Sequence, residues 1–420
     1  MSSFQAFQWR KTKLPPRHGN IVELLKRHED EIRTSGVTVF SDSAEPTALS
    51  DCNWNTLPAK TIALASPKQR QCDQRKAPSQ RFVPQELVVT RQYDLGEFKP
   101  ARIFGAGDRI LVQGGAGWKI LGIDGLAVAE QKGVVAGILF DGIARRFISL
   151  DLSGTLRFHA LADGRTSHTI QLGAGAYGSV QMGRCGGRLI LFGHRTGPEG
   201  KGATILESIS MSEPVPRPGS EPSLRLALEA PDPAVSVTGH SVYVASRGRI
   251  AALRPDLQLY DCIQGDFVPV ALTVDPDGWI YLITDGFDER LLSLVTPQAE
   301  STMQYRILPP ANRGSVPPLV GAGRQAYVIG GNRIVCIDQT GKLQWIRGTE
   351  GDPSGAVVSG DTLIVPDGKE LAAFDGDGQR SVLCRFSGDS LAAAPPVFME
   401  DGCGLVCGTR HMYRLGAPRC

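Results

Sequence analysis

One short apolar run recurs eight times along the C-terminal three quarters of this chain, and no other feature restricts the fold as strongly. Representative copies are Arg109-Ile-Leu-Val-Gln113, Arg146-Phe-Ile-Ser-Leu150, Arg188-Leu-Ile-Leu-Phe192, Ser241-Val-Tyr-Val-Ala245, Trp279-Ile-Tyr-Leu-Ile283 and Gln325-Ala-Tyr-Val-Ile329. With Thr362-Leu-Ile-Val-Pro366 and Gly404-Leu-Val-Cys407, the centres fall at 111, 148, 190, 243, 281, 327, 364 and 406. Their mean spacing of about 42 residues is that of a four-stranded propeller blade. A second β-rich stretch follows most copies, as in Trp118-Lys-Ile-Leu-Gly-Ile123 and Arg333-Ile-Val-Cys-Ile337. Asp/Gly pairs such as Asp124-Gly125, Asp163-Gly164, Asp338 to Gly341 and Asp375 to Gly378 then supply tight turns, because both residues tolerate left-handed backbone. Glycine and proline together make up 77 of the 420 residues, which favours short strands and turns over helices. The expected fold is all-β: a β-propeller of eight four-stranded blades, with seven the alternative count, and a small N-terminal α+β appendage.

The last blade runs out of chain. After His411-Met-Tyr-Arg-Leu415 only five residues remain, too few for an outer strand. A spare β-rich segment, residues 86–94, precedes the first blade and could complete the last one, hiding two sheet edges. The expected division is therefore 1–85, an appendage with a basic linker, and 86–420, the propeller. Within the appendage, Asn20-Ile-Val-Glu23 reads as a capping box that starts a helix, and Val37-Thr-Val-Phe40 and Thr61-Ile-Ala-Leu64 read as strands. The 53-residue interval in blade three marks an insertion from His194 to about Ser223, whose five prolines argue against sheet pairing.

The blades resemble those of the quinoprotein-like (PQQ-like) propellers. The strongest correspondence is Arg333-Ile-Val-Cys-Ile-Asp-Gln-Thr-Gly-Lys-Leu-Gln-Trp345, which is similar to that family's Leu-Asp…Gly-Lys…Trp hairpin. Val274-Asp-Pro-Asp-Gly-Trp-Ile-Tyr281 is closer to an NHL-type repeat. The resemblance spans roughly residues 99 to 415 and implies the fold. The dehydrogenases of the family use vicinal cysteines, calcium and export to the periplasm; this sequence has no adjacent cysteines and no export signal. A non-enzymatic member with no cofactor is the expectation. Cytoplasmic propellers of this kind with a small N-terminal domain are similar to components of bacterial systems that include a MoxR-type AAA ATPase and a von Willebrand factor A protein. That likeness implies a protein partner.

Motifs that spell chemistry fit poorly with their surroundings. Gly173-Ala-Gly-Ala-Tyr-Gly178 has dinucleotide spacing, but turn-rich sequence follows where a helix must face the pyrophosphate. Gly239-His240-Ser241 is half of a nucleophile elbow, with Tyr243 at the position that needs glycine. Asp375-Gly-Asp-Gly378 starts like a calcium loop but lacks the glutamate that would close it. The nine cysteines are scattered, and most sit in apolar strand patterns such as Val335-Cys336-Ile337, as buried reduced thiols do. Trp118, Trp279 and Trp345 sit in or beside blade strands and are expected in the core.

A net charge of +2 excludes any strong overall field toward nucleic acid or membrane. Charge is lopsided only locally, where Lys60, Lys68, Arg70, Arg75, Lys76 and Arg81 face a single Asp73. With His194, Arg195 and Lys201 of the insertion, these residues form the candidate interaction surface. The leading function is thus a non-catalytic protein-interaction scaffold. The alternatives are a metal-dependent lactonase or lyase with a site on the ring axis, and nucleic-acid binding through residues 60–81, which lack an aromatic residue for base stacking.

Overall fold

Consecutive apolar residues, as in Arg146–Asp151, Ile280–Asp285 and Thr362–Asp367, give the second strand of a blade two apolar faces, and both can be satisfied only if the sheet is covered on both sides. The computed structural model solves this with eight sheets set around an axis. It describes residues 10–12, 37–40 and 86–417, apart from 97, 143, 173–174, 198–199, 201, 212–223, 229–232, 265–266, 286–289, 297–300, 308–316, 392–393 and 400–401. Blade one runs outward through Pro100–Ala106, Arg109–Gly114, Gly117–Gly122 and Ala127–Lys132. Blades two to seven repeat this antiparallel meander, with innermost strands that begin at Val135, Ala176, Ala234, Val268, Leu319 and Val357. Among the described residues the one helical element is a single 3₁₀ turn, Pro353–Gly355.

Blade eight is composite. Its three inner strands, Val397–Phe398, Gly404–Cys407 and His411–Gly416, come from the end of the chain. Its outermost strand, Val88–Asp94, comes from before blade one and pairs antiparallel with His411–Gly416. The ring closes through this pairing and through an apolar cluster that joins Ile103, Ile110 and Val112 of blade one to Leu405, Cys407 and Met412 of blade eight.

The core is a set of eight clusters, each shared by two neighbouring blades. Strand alternation decides which neighbour a side chain meets. In Thr362–Asp367, Leu363 and Val365 pack toward blade six, whereas Ile364 packs toward blade eight. In Glu370–Phe374, Ala372 and Phe374 take the first side, and Leu371 and Ala373 the second. Trp118 and Trp345 are buried in two of these interfaces.

Gly202–Ser210 and Arg10–Thr12 depart from the sequence expectations, whereas Val37–Phe40 is a strand as expected. Gly202–Ser210, inside the proline-rich insertion, is a fully paired third strand of blade three and forms a long hairpin with Arg188–Thr196. The prolines fall in the connections on either side of it, and Thr204-Ile-Leu-Glu-Ser-Ile209 between them alternates well enough to pair. Val37–Phe40 extends the outer edge of blade three by pairing with Leu224–Leu228, and Arg10–Thr12 extends blade four by pairing with Leu259–Gln264. The expected helix from Asn20 and the expected strand 61–64 lie outside the described residues.

A single turn design recurs at the hairpins. Asp151, Asp275, Asp338 and Asp375 each accept, on one carboxylate oxygen, the backbone N–H groups two and four residues onward. Each is followed three residues later by a left-handed glycine: Gly154, Gly278, Gly341 and Gly378. The Asp375 carboxylate is therefore engaged by its own turn, and the calcium-like spelling has a purely conformational cause.

Two outcomes follow for stability. Tyr93 on the ring-closing strand is buried between blades eight and one, and its hydroxyl donates to the Ile123 carbonyl at 3.0 Å. Tyr93→Ala should cost about 3–5 kcal/mol by analogy with other buried aromatic truncations and lower Tm in calorimetry; an unchanged Tm would refute closure through this strand. Gly378 (φ +75°) has Trp345 Cγ 2.6 Å from where a Cβ would sit, whereas Gly388 (φ +86°) has open space there. Gly388→Ala should show only the left-handed penalty of about 1–2 kcal/mol, and Gly378→Ala clearly more.

Candidate functional site

The strand order places two kinds of hairpin on one face of the ring: those joining the first and second strands, and those joining the third and fourth. On this face, blades four to six bring aromatic, arginine and carboxylate groups together. In blade five the inner turn is Asp275-Pro-Asp-Gly-Trp279, with the Asp275 carboxylate accepting from the Asp277 and Trp279 amides at 2.9 Å each. Blade six closes the matching turn, Gly321 to Gln325, with Arg324 where glycine would be expected. Arg324 has φ +62°, a conformation uncommon outside glycine, asparagine and aspartate. Its guanidinium reaches back to blade five, 2.5 Å from Asp277 Oδ2, 3.9 Å from Asp275 Oδ2 and 5.2 Å from the centroid of the Trp279 ring. The Asp277 side chain is 66% exposed and that of Arg324 36%, so the group opens to solvent. Burial, reinforced by the charge of Asp277, pushes the Asp275 carboxyl up, against the hydrogen bonds it accepts.

Comparing equivalent positions in three successive blades isolates a cleft beside this group. Tyr243, Tyr281 and Tyr327 occupy the same position of the repeat. The Tyr327 hydroxyl donates to the Asp361 carbonyl in the inner turn of blade seven at 3.0 Å, and that of Tyr281 to the Arg324 carbonyl in blade six at 3.4 Å. Both tyrosines are fully buried and seal their interfaces. Tyr243 differs, because its hydroxyl is approached at 3.4 Å by Tyr260 of its own blade, which also donates to Ser241 Oγ at 2.9 Å. A register shift pairs Ala252 with Asp261 but Leu253 with Leu259, so Tyr260 is the extra residue of a bulge. The result is a cleft of about 190 Å³ between blades four and five. Ile250, Ala252, Ile263 and Ile280 wall it, and Tyr243, Tyr260, Asp261, Gly278 and Thr296 complete the lining.

Groups that resemble reaction centres lie elsewhere and are committed to structure. Ser149 Oγ and His159 Nε2 are 2.8 Å apart, but both residues are buried, and His159 stacks on Phe147 with Nδ1 facing the Gly164 carbonyl. Burial lowers the His159 pKa, opposed by that hydrogen bond. Asp389, 3.5 Å from His411 Nδ1, is buried and accepts from Thr409, Arg410, His411 and Tyr413. Burial raises its pKa, but the hydrogen bonds from Thr409 and Tyr413 and from the Arg410 and His411 amides hold it below the usual carboxylate range. Gly173 to Gly178 leads into a strand, Ala176–Cys185, so no helix terminus is available for a pyrophosphate. Cys185, Cys336, Cys384 and Cys407 are buried and unpaired, and burial pushes Cys336 and Cys407 up to about 12. The innermost strands carry one carboxylate among their described residues, Asp141, which is bonded to the Ala144 amide, Arg146 and Arg184.

Of the residues singled out from sequence, Lys60, Lys68, Arg70, Arg75, Lys76, Arg81 and Lys201 lie outside the described residues. His194 and Arg195 end the second strand of blade three, on the face opposite the cleft. His194 is exposed; Arg195 donates to the Leu172 carbonyl at 3.3 Å and lies 5.2 Å from the Tyr177 ring. Sequence reasoning missed Tyr243, Tyr260, Asp261 and Arg324, and it assigned Trp279 to the core. Trp279 does pack against the interface of blades five and six, but it is only half-buried and presents its ring to Arg324. The visible signal was the tyrosine shared by three repeats; the bulge that redirects one of them left no local trace.

Comparison with solved structures agrees on the architecture. BamB from Moraxella catarrhalis is 12% identical with a TM-score of 0.55, over 78% of this chain and 99% of its own. Sqt1 from Saccharomyces cerevisiae is 10% identical with a TM-score of 0.58, over 80% and 100%. The computationally designed Ika8 protein is 8% identical with a TM-score of 0.54, over 79% and 99%. The chain is an eight-bladed β-propeller. At such identities these likenesses establish the fold and leave function open. No protein-family model and no curated protein sequence matches the chain. Among the described residues no helix is long and apolar enough to cross a membrane.

Burial holds the Tyr243, Tyr281 and Tyr327 hydroxyls well above the ordinary tyrosine value of 10.0. In the unfolded chain these groups ionise first, so the stability they confer is complete below that value and drains away as pH rises beyond it. Melting curves should be flat across neutral pH and fall above about pH 10. Tyr281→Phe, which removes one of these buried ionisations, should shallow that fall; an identical alkaline slope would contradict the assignment.

Proposed function

We propose that this propeller is a non-catalytic scaffold that binds another protein through the face carrying the inner turns of blades four to six. The supporting observation is the grouping of half-buried Trp279 and Arg324 with exposed Asp277 beside the Tyr243–Tyr260 cleft. Tryptophan, tyrosine and arginine dominate the energetics of protein interfaces, because each combines a large apolar surface with a polar tip at small entropic cost. Here Trp279 and Arg324 are fixed on inner turns and Tyr243 and Tyr260 on strands of a closed ring, which limits the ordering cost of binding.

A lactonase-like axial metal would need several convergent carboxylates, and Asp141 alone among the described innermost strands is a weak basis for one. Within the scaffold reading we favour a bacterial cytoplasmic setting and a MoxR-type AAA ATPase or von Willebrand factor A protein as partner. The repeat resemblance supports the system, and the unpaired buried thiols suit a reducing compartment. The basic segment Lys60 to Arg81 and the group His194, Arg195 and Lys201 are proposed as secondary contacts.

Affinity capture from the native host with the full-length chain should recover a stoichiometric protein partner. A Trp279→Ala, Arg324→Ala double variant with an unchanged Tm should lose at least tenfold in recovery. Equal recovery would move the interface elsewhere, and repeated absence of any partner would count against the scaffold.

A further inference from the structure

Arginine recurs at one position of the repeat in three successive blades. Arg109, Arg146 and Arg188 stand at the start of the second strands of blades one, two and three, where the other five blades carry Ser241, Trp279, Gln325, Thr362 and Gly404. Five blades fold without a charge there, so the blade itself does not require one. The position adjoins the inner turn, on the same face as Trp279 and Arg324. Two further arginines join the three. Arg145 sits in the inner turn of blade two with φ +46°, as Arg324 does in blade six at +62°, and it likewise reaches back to the preceding turn, 3.2 Å from Asp108 Oδ1. Arg184 lies at the end of the innermost strand of blade three. Asp108 also holds Arg109 at 2.6 Å, and Asp141 holds Arg146 at 3.4 Å and Arg184 at 3.3 Å. Arg188 donates to the hydroxyl and carbonyl of Ser208.

Five guanidiniums thus share two carboxylates, which leaves three positive charges without a carboxylate partner among the described residues. Arg145 and Arg184 are 62% and 54% exposed, so the arc they belong to is open to solvent. The inner turns of blades five to seven have the opposite balance, with Asp275, Asp277 and Asp361 against Arg324. A guanidinium offers five N–H donors in a planar fork that matches a carboxylate, and here each engages one or two of its nitrogens. Turns 107–108, 142–145 and 186–187 carry no aromatic residue on which a base could stack, and the interleaved Asp108 and Asp141 oppose a continuous line of phosphates. A flexible acidic peptide can place separate carboxylates between them. We propose that this arc over blades one to three receives an acidic segment of the protein partner, its Asp and Glu side chains seated on Arg109, Arg145, Arg146 and Arg184. The opposite charge across the face then sets which way round the partner lies. The proposal rests on the scaffold reading for the origin of the segment, but the arc's preference for carboxylates can be measured by itself.

The probes are fluorescein-labelled hexaglutamate, hexaglutamine and a short DNA duplex, titrated with the full-length protein by fluorescence anisotropy. Hexaglutamate should bind saturably, and hexaglutamine at least tenfold more weakly. Arg145→Asn, which keeps a residue tolerant of the left-handed turn, and Arg184→Gln should each weaken hexaglutamate at least threefold, and either suffices should the other fail to fold. Arg247→Gln with Arg410→Gln, exposed on the opposite face, removes two charges and should leave affinity unchanged. Absence of saturable binding, equal binding of hexaglutamine, no loss in either folded arc variant, or the same loss in the opposite-face variant would overturn the proposal. So would tighter binding of the duplex that the arc variants abolish. This chain has an acidic stretch of its own, Asp42, Glu45 and Asp51, following Val37–Phe40. Binding that appears only after Asp42→Asn, Glu45→Gln and Asp51→Asn would give the arc to that stretch and overturn an external occupant. Hexaglutamate binding without any captured partner would retain the arc and remove the scaffold; a captured partner indifferent to Arg145→Asn and Arg184→Gln would do the reverse.

Discussion

Burial of both faces of every sheet is the constraint from which the rest of this molecule follows. A sheet that is apolar on two sides has no stable isolated form, because one face always remains in water. Each blade here is completed by its neighbours, with alternate residues of a strand serving opposite interfaces, as Leu363 and Ile364 do. Such a chain of dependencies ends in exposed faces unless it returns to its start. Pairing of Val88–Asp94 with His411–Gly416 brings the two ends of the repeat into one sheet and removes those faces.

Closure also determines where chemistry can reside. Polar groups drawn into the interfaces are mostly bonded there, since an unpaired buried polar group is costly, Trp118 Nε1 being an exception. The Ser149–His159 pair and the Asp389 network meet that demand, and their geometry, suggestive of reaction centres, is explained by satisfied hydrogen bonding in places solvent does not reach. What remains open is the turns. Turns held by Asp carboxylates and left-handed glycines are rigid enough to present side chains in fixed positions, and Arg324 in a glycine-like conformation shows the design used to aim a functional group.

The blades are not equivalent, and that inequality locates the candidate site. Tyr281 and Tyr327 tie each blade to the next inner turn. At the corresponding position Tyr243 bonds within its own blade, and a cleft replaces the seal. Three blades carry a tyrosine at this position and the other five an aliphatic residue, so Tyr243 is set apart as the one tyrosine of the three that turns back on its own blade.

Periodicity and turn chemistry are local properties, so the blade count, the Asp-to-Gly hairpins and the shortfall of the last blade were legible from the order of residues alone. The buried character of Trp118 and Trp345 followed equally from their place in strand patterns. Gly202–Ser210 was obscured because prolines on both sides of it masked the alternation between them. The cleft was not legible at all. It joins residues from 243 to 296 through a one-residue register shift at Tyr260, and a register is decided by how two strands settle against their neighbours. Local sequence determined what each blade is made of; only packing of one blade on the next decided where a gap, an arginine and two tyrosines would meet.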